Sequence, residues 1–549
     1  MKGLAREKDH STRTISAVMV ITLAGKVLGL FRDHLMAVHY GTAGMEAKAF
    51  YTASRIPRVF FDVVFASAIA ACFIPVFSEI MTKKGKKEAF RFGGNFLSVM
   101  GLLTAVLTVL GILLAEPLVA LFAGGYDDQT AALAVSLTRM MFPTVLFTGV
   151  AFSFVGILQA MDRFNVPALI SVVSNLVIIG YFYFLDEDYG IYGLAAAYLV
   201  GWLLQALVQV PSLRQVGFRY HPDFSFRSEG MRRAFALMGP VMVSTWVQPI
   251  NLTINSRFGS YLYDGAGVSA MEYSTNLYLV IAGVFILSIT NVIFPKLSRL
   301  TAQHQQAAFQ DTLRQTVHSS LFFVMPMAAG LMLLARPLVS FLYGGGAFDE
   351  FSVSITSEAL VWVSLGMVGY ALQNILSRSY FAKQEGRAPL IAGGVSILAN
   401  LGLCMVLTQP LGVTGLAISS TVSSTLYAIL LLVPLELRGE GILSGKFLVD
   451  IGKMLLSAAG MAAAVWLIRG GLAGLVPEGK LGEALLLAGC ALAGAAVYFV
   501  LCALLRLDEM KLALRAVAQR LRKRGRSMQR VQQILQASVL FRVLAALCQ

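Results

Sequence analysis

The sequence predicts an all-α polytopic membrane protein of about fourteen transmembrane helices, arranged as two parallel six-helix repeats with two extra helices at the C-terminal side. Three observations carry this: the composition, a loop-charge alternation between apolar stretches, and a self-similarity at a spacing near 220 residues. Of 549 residues, 57% are hydrophobic and only 13% charged, and the mean hydropathy is +0.72. A soluble globular chain carries about 45–50% apolar and about 25% charged residues, which excludes a soluble enzyme, a disordered chain and a disulfide-stapled secreted protein. The formal net charge of +14 reads as the Lys and Arg excess of cytoplasmic loops, not as a nucleic-acid footprint. The cysteines, Cys72, Cys404, Cys490, Cys502 and Cys548, form no CxxC pair and read as small apolar helix residues.

A spanning helix needs about 20 apolar residues. Stretches that qualify are 14–38, 58–80, 93–122, 131–160, 165–185, 190–213, 234–260, 268–294, 315–343, 352–378, 388–408, 412–436, 447–469 and 482–506. Lys2, Arg6, Lys8 and Arg13 precede no short apolar region with a small-residue cleavage site, so the first span is expected to remain as an anchor. Alternate connections carry Lys83, Lys84, Lys86, Lys87 and Arg91, then Arg163, then Arg214 through Arg233, then Lys296 and Arg299, then Arg378, Lys383 and Arg387, then Arg438 and Lys446. The intervening connections carry Asp127, Asp128, Asp186, Glu187, Asp188, Asp264, Asp349 and Glu350, with Lys48 and Arg55 as exceptions in the first. This alternation places both termini in the cytoplasm.

The repeat is visible in three places. Leu113–Leu114–Ala115–Glu116–Pro117–Leu118–Val119 recurs as Leu333–Leu334–Ala335–Arg336–Pro337–Leu338–Val339, and Pro75–Val76–Phe77–Ser78 as Pro295–Lys296–Leu297–Ser298. Gly190–Ile191–Tyr192–Gly193–Leu194–Ala195 recurs as Gly412–Val413–Thr414–Gly415–Leu416–Ala417. The expected units are therefore a lobe over 1–222, a second over 223–444, the two extra helices within 445–506, and a basic amphipathic tail over 507–549. Six spans per copy make the copies parallel, an architecture of transporters that rock about a midplane site.

Charges inside spans are costly and normally face a cavity or a partner. Span 1 holds Lys26, Arg32 and Asp33, with Thr22, Lys26, Gly29 and Asp33 on one helical face. Gly25 and Gly29 form a GxxxG, a close-packing motif. Span 7 carries Ser244, Gln248, Asn251 and Asn255 at the same spacing, with Arg257 following. Span 2 opens with Arg58 and Asp62, and span 8 has Glu272, Asn276 and Asn291. The candidate substrate-binding set is Lys26, Arg32, Asp33, Arg58, Asp62, Gln248, Asn251, Asn255, Arg257 and Asn276. Its balance is cationic, which suits a phosphate headgroup: Arg binds it bidentately and Lys as a point charge. Metalloprotease, Walker A and nucleophile-elbow patterns are absent from the sequence, so no enzyme activity and no cofactor are expected. Transport is then expected to draw on an ion gradient, the membrane potential or the substrate gradient. The tail, with Arg515, Arg520, Arg522, Lys523, Arg524, Arg526 and Arg530 among apolar residues, reads as a helix lying on anionic membrane lipids.

Together these residues resemble the MviN/MurJ family of lipid II flippases, within the MOP exporter superfamily. The carriers are Val27–Leu28–Gly29–Leu30–Phe31–Arg32–Asp33, Arg55–Ile56–Pro57, Phe73–Ile74–Pro75–Val76–Phe77–Ser78–Glu79, Arg163–Phe164, Pro167 and Phe294–Pro295–Lys296–Leu297–Ser298. The resemblance implies flipping of the undecaprenyl-pyrophosphate-linked peptidoglycan precursor, with its tail along spans 13–14 and its headgroup in the cationic cavity. It also implies cell-wall synthesis proteins as partners. Departures are Phe61–Asp62 where the family has Arg-Arg, Ala66–Ser67 for Glu-Gly, Thr275–Asn276 for Asp-Arg, and Lys48 at an acidic position. Competing readings are a flippase for another polyprenyl-linked glycan, a MATE-type antiporter and a non-transporting wall-synthesis scaffold.

Overall fold

The computed structural model describes residues 2–61, 72–439, 442–472, 479–507 and 509–510. The first copy of the repeat contains α1 (Lys2–Tyr40), α2 (Met45–Phe61), α3 (Ile74–Lys84), α4 (Lys86–Leu113), α5 (Ala115–Phe122), α6 (Asp128–Met141), α7 (Thr144–Ala160), α8 (Asn165–Phe184), α9 (Asp186–Leu207) and α10 (Val210–Gln215). The second contains α11 (Glu229–Thr245), α12 (Val247–Gly259), α13 (Ala266–Tyr278), α14 (Val284–Ala302), α15 (Gln306–Tyr343), α16 (Glu350–Leu365), α17 (Met367–Ala382) and α18 (Arg387–Leu437). The appended helices are α19 (Gly445–Leu472) and α20 (Lys480–Leu504). No strand occurs among the described residues beyond one isolated bridge between Gly345 and Phe348.

The repeat recurs in the backbone as well as in the letters. Asp162 and Gln384, Gly190 and Gly412, and Gly217 and Gly439 are three left-handed pairs, each 222 positions apart, with φ between 50° and 87°. Asp162 and Gln384 follow helix ends, where a left-handed residue lets the next amide reach back to an orphaned carbonyl: Arg163 N donates to Leu158 O at 2.8 Å, and Glu385 N to Tyr380 O at 2.9 Å. Asp127 and Asp349 are the corresponding N-caps of α6 and α16, accepting from Thr130 N at 3.1 Å and Ser352 N at 2.8 Å. The φ, ψ of Gly412 (58°, −136°) is open only to glycine, and it breaks the 51-residue α18 where the sequence divides spans 11 and 12.

Helix lies under every apolar stretch read from the sequence, although residues 62–71 of the second are outside the described set. Eight helices among the described residues are long and apolar enough to cross a membrane, or nine if α16 and α17, bent by 43°, count as one span. Among the described residues the first, seventh and eighth stretches, which carry intramembrane charges and amides, fall short. Their polarity is intelligible if they face each other instead of lipid. One boundary is corrected. The second span does not begin at Arg58: α2 starts at Met45, so Lys48 and Arg55 are not loop residues but helical and buried. Pro57 lies inside α2.

The copies interlock at the end carrying the acidic connections. Ala347 N donates to Val38 O at 2.7 Å, the Thr42 and Ser352 hydroxyls lie 2.7 Å apart, and Gly125 N donates to Ser260 Oγ at 3.0 Å. Gly41 has φ +63°, and a Cβ there would stand 2.3 Å from Ala347 O, so the approach requires glycine. At the opposite, basic end, contact between copies runs from α3 and α4 to α11, where Lys84 pairs with Glu229 at 2.8 Å and Arg233 with Glu79 at 3.1 Å. The appended pair seats on α15: Tyr498 Oη donates to Phe322 O at 2.8 Å, and the buried His318 meets Glu509 and, at 3.6 Å, Asp450.

Candidate functional site

The site grows from α1. Gly25 lets α8 approach so closely that a Cβ would lie 2.5 Å from Ser171 Oγ, which is the packing role expected of the GxxxG. That approach brings Asn175 of α8 alongside, where its Nδ2 donates to Gly25 O at 3.0 Å. Arg32 then reaches three acceptor contacts: Nε and Nη2 to Asp33 Oδ1 at 3.0 and 2.7 Å, and Nη1 to Asn175 Oδ1 at 3.1 Å. Its guanidinium stands 5.7 Å from the ring centroid of Tyr198 on α9, within cation–π reach. Asp33 is 6% exposed.

Across the seam, Arg55 of α2 forms a salt bridge with Glu272 of α13. This pair joins the two copies of the repeat directly. Arg58, one turn beyond Arg55 on the same face, acts electrostatically on Asp33 and Tyr198, and Glu272 acts on both as well. Tyr51, one turn before Arg55, stacks edge-on against Tyr273 with centroids 5.2 Å apart, and Tyr273 continues to Tyr343 at 4.8 Å. Lys48, a further turn back, donates from Nζ to Asp264 O at 2.8 Å. Among the described residues, three guanidinium groups (Arg32, Arg55, Arg58) face two carboxylates (Asp33, Glu272), a balance of one positive charge walled by tyrosines. Such a cluster can take an anion by exchanging a carboxylate partner for it.

The second copy answers with neutral groups. Asn255 of α12 lies 222 positions beyond Asp33, at the corresponding place in the second copy. Its Nδ2 donates to Ser420 Oγ at 2.7 Å, and its Oδ1 accepts from Asn400 Nδ2 at 3.2 Å. Asn400 in Ser396-x-x-x-Asn400-Leu401 echoes Asn175 in Ser171-x-x-x-Asn175-Leu176. The same interhelical contact is thus charged in one copy and uncharged in the other.

A scan against family models matches residues 37–477 to the model described as "Lipid II flippase MurJ". The chain belongs to the lipid II flippase MurJ family. The MurJ resemblance read from the sequence is borne out. A Haemophilus influenzae protein described as a probable lipid II flippase MurJ is 31% identical over 464 residues, covering 81% of this chain and 90% of that one. A Burkholderia cenocepacia lipid II flippase MurJ is 30% identical over 436 residues, covering 78% and 84%. Among solved structures, a lipid II flippase MurJ in an inward closed conformation superposes with a TM-score of 0.73 at 24% identity, covering 90% of this chain and 99% of that one. An inward-facing MATE family multidrug transporter of the MOP superfamily reaches 0.63 at 14% identity, covering 78% and 98%. These superpositions show a shared fold.

The predicted residues separate into groups. Arg32, Asp33 and Arg58 come together. Lys26 is exposed on the face of α1 that buries Asp33 two turns on, well round from the apolar row Val20, Leu23, Val27 and Phe31. Asn276 lies one turn beyond Glu272 on α13, and Asn251 of α12 has a buried Oδ1 with no protein partner among the described residues. Gln248 is exposed near the start of α12. Arg257 is not brought to the cluster: it donates to Ala120 O at the end of α5 and lies 5.5 Å from the Tyr261 ring. Asp62 and the tail beyond Met510 lie outside the described residues. Arg55 and Glu272, which pair at the centre, were absent from the predicted set. Their signal was available: Arg55 and Arg58 share a face at i, i+3, and a lone Glu272 inside a span demands a cation.

Proposed function

We propose that this chain translocates lipid II, the undecaprenyl-pyrophosphate-linked peptidoglycan precursor, across the bacterial plasma membrane by alternating access, as a transporter and not as an enzyme. The reading rests on one observation above others: the Arg55–Glu272 pair is at once part of the cationic cluster and one of the bonds that tie the copies together. Pyrophosphate is a dianionic, bidentate acceptor, so it competes with Asp33 for Arg32 and with Glu272 for Arg55. Taking Arg55 from Glu272 removes a tie that exists only in the closed arrangement. A ligand shifts an equilibrium by binding one state better, and this competition supplies the difference.

The rest of the assignment follows the same logic. The basic end faces the cytoplasm with both termini, the acidic end faces outward, and opening of the acidic end releases the headgroup to the outer leaflet. The moving bodies are the lobes 1–222 and 223–444; helices over 445–506 guide the lipid tail, and the basic tail 507–549 rests on the inner leaflet. Lys26, Asn251 and Asn276 line the path of the headgroup, and an ion gradient or the membrane potential resets the lobes. Cell-wall synthesis proteins are the expected partners. Asn251, whose buried Oδ1 has no partner among the described residues, favours a second reading, a different polyprenyl-linked glycan whose sugars it recognises. Complementation separates the two: in a bacterium depleted of its resident lipid II flippase, this chain should restore growth and outer-leaflet precursor, and Arg32→Ala should not. Good membrane expression without rescue would favour the other glycan.

A further inference from the structure

A cavity of about 950 Å³ lies away from the central cluster, at the basic end of the first copy. Its floor is apolar: Leu97, Gly101 and Leu102 of α4, Phe154 of α7, and Leu213 of α10. Its rim carries Arg214 and Arg219, both exposed and with neither guanidinium hydrogen-bonded or ion-paired to any described residue, and Tyr220 and Phe224 beside them at 47% and 54% exposure. The wall containing Arg219, Tyr220 and Phe224 is the connection between the two copies of the repeat. That connection is strapped to α4 by buried polar groups: Asn95 Nδ2 donates to Asp223 O at 2.8 Å, and Asp223 N donates to Ser98 Oγ at 3.1 Å. The Ser98 hydroxyl also meets Tyr220 Oη at 2.9 Å, so the rim is held in place.

We infer that this cavity binds an anionic phospholipid of the surrounding leaflet, its phosphodiester on Arg214 and Arg219 and the upper part of its acyl chains on the apolar floor. Exposed aromatics beside arginines are the signature of the headgroup region of a bilayer, and basic pockets between spanning helices on the cytoplasmic side take acidic headgroups. No described carboxylate pairs with the rim charge: the Asp223 carboxylate accepts from Ser225 N at 3.0 Å and lines the neighbouring groove with Arg91. Because the bound lipid touches α4, α7, α10 and the connection together, it holds the connection about which the copies move. The lipid is therefore a stabilising ligand of one arrangement, not cargo. Orientation at the cytoplasmic leaflet rests on the proposed topology; the binding site itself does not.

The test uses the full chain purified in a neutral detergent, with phosphatidylglycerol as the probe. Native mass spectrometry should show retained phosphatidylglycerol, and its addition should raise the thermal midpoint, while phosphatidylcholine does neither. Arg214→Ala with Arg219→Ala should weaken retention by at least about tenfold, since charge-assisted hydrogen bonds of this kind each contribute about that factor. Leu102→Trp, which fills the floor without touching a charge, should also abolish retention while leaving the lipid-free midpoint unchanged. Equal retention by the double variant or by Leu102→Trp overturns the site. Equal stabilisation by inorganic phosphate overturns the lipid assignment, and displacement by undecaprenyl phosphate at equimolar ratio overturns the separation from the substrate path.

Discussion

Removing Arg55 should loosen the acidic end of the molecule far more than removing both members of its pair. The side chains of Arg55 and Glu272 are 9% and 15% exposed, so Arg55→Ala leaves a carboxylate in a nearly dry seam. Deleting one partner of a buried pair costs about 3–5 kcal/mol. Arg58 stands one turn away and partly compensates, which points to the low end, about 3 kcal/mol, or on the order of a hundredfold in the equilibrium between closed and open arrangements. The cost falls on the closed state because opening the seam lets water reach Glu272. In Arg55→Met with Glu272→Leu the orphaned charge is gone, and such apolar replacements are about neutral or stabilising, so closure should return. The assay is disulfide formation between T42C and S352C in a background without other cysteines, since the native hydroxyls are 2.7 Å apart across the closed end. Cross-linking should be fast in the parent, strongly slowed by Arg55→Ala, and restored by the double replacement. Equal cross-linking in all three would refute the view that this pair holds the copies together.

Other outcomes follow from single residues. Arg32→Lys should fail nearly as badly as Arg32→Ala in binding lipid II, because Arg32 uses three nitrogens at once on Asp33 and Asn175 and an ammonium has no planar fork; a drop of about tenfold or more is expected, read by precursor binding to purified protein. Gly412→Ala should destabilise more than Gly190→Ala, since both positions have positive φ but only the Cβ at 412 meets a neighbour, Tyr263 Oη at 2.3 Å; thermal midpoints of the two variants decide this. Asp127→Ala should cost about 1 kcal/mol, the usual value of an N-cap, and leave transport intact.

The pH response of the basic end has a definite sign. Lys84, first by hydrogen bond and then by charge, and then Arg233 hold the Glu229 carboxyl below its usual range. A depressed carboxylate gives its stabilisation above the unfolded value and loses it as pH falls through the folded value. The tie between α3 and α11 should therefore be constant through neutral pH and release only in acid below the ordinary carboxylate range, about 4.3 for glutamate. Spin-label distances between positions 82 and 232 report it, and separation near pH about 6 would contradict the assignment.

Much of this architecture was legible before any coordinates because a membrane imposes two simple rules, apolar length and loop charge. The repeat was legible because its turns demand particular residues: Gly190 and Gly412 sit at a backbone conformation only glycine adopts, so the letters survive where the geometry does. The start of α2 was misread for a physical reason. Lys48 and Arg55 carry the marks of a loop, but Lys48 finds the Asp264 carbonyl and Arg55 finds Glu272, and both partners lie more than two hundred residues away. Tertiary partners of that kind leave no trace in local pattern. The same blindness put Arg257 in the predicted site, although its guanidinium donates to the Ala120 carbonyl away from the cluster, and it overstated the amide stripe of span 7, where Asn255 is engaged with Ser420 and Asn400.

The measurement closest to the central claim is flipping by the purified chain. Fluorescent lipid II placed in proteoliposomes of known orientation, with a membrane-impermeant quencher added outside, reports the fraction that crosses. The account predicts loss of protection that depends on the chain, is abolished by Arg32→Ala and impaired by Arg55→Ala, and is absent for a neutral lipid-linked sugar without pyrophosphate. Equal crossing by the Arg32→Ala protein, or by the lipid lacking pyrophosphate, would show that the cationic cluster is not where the headgroup passes.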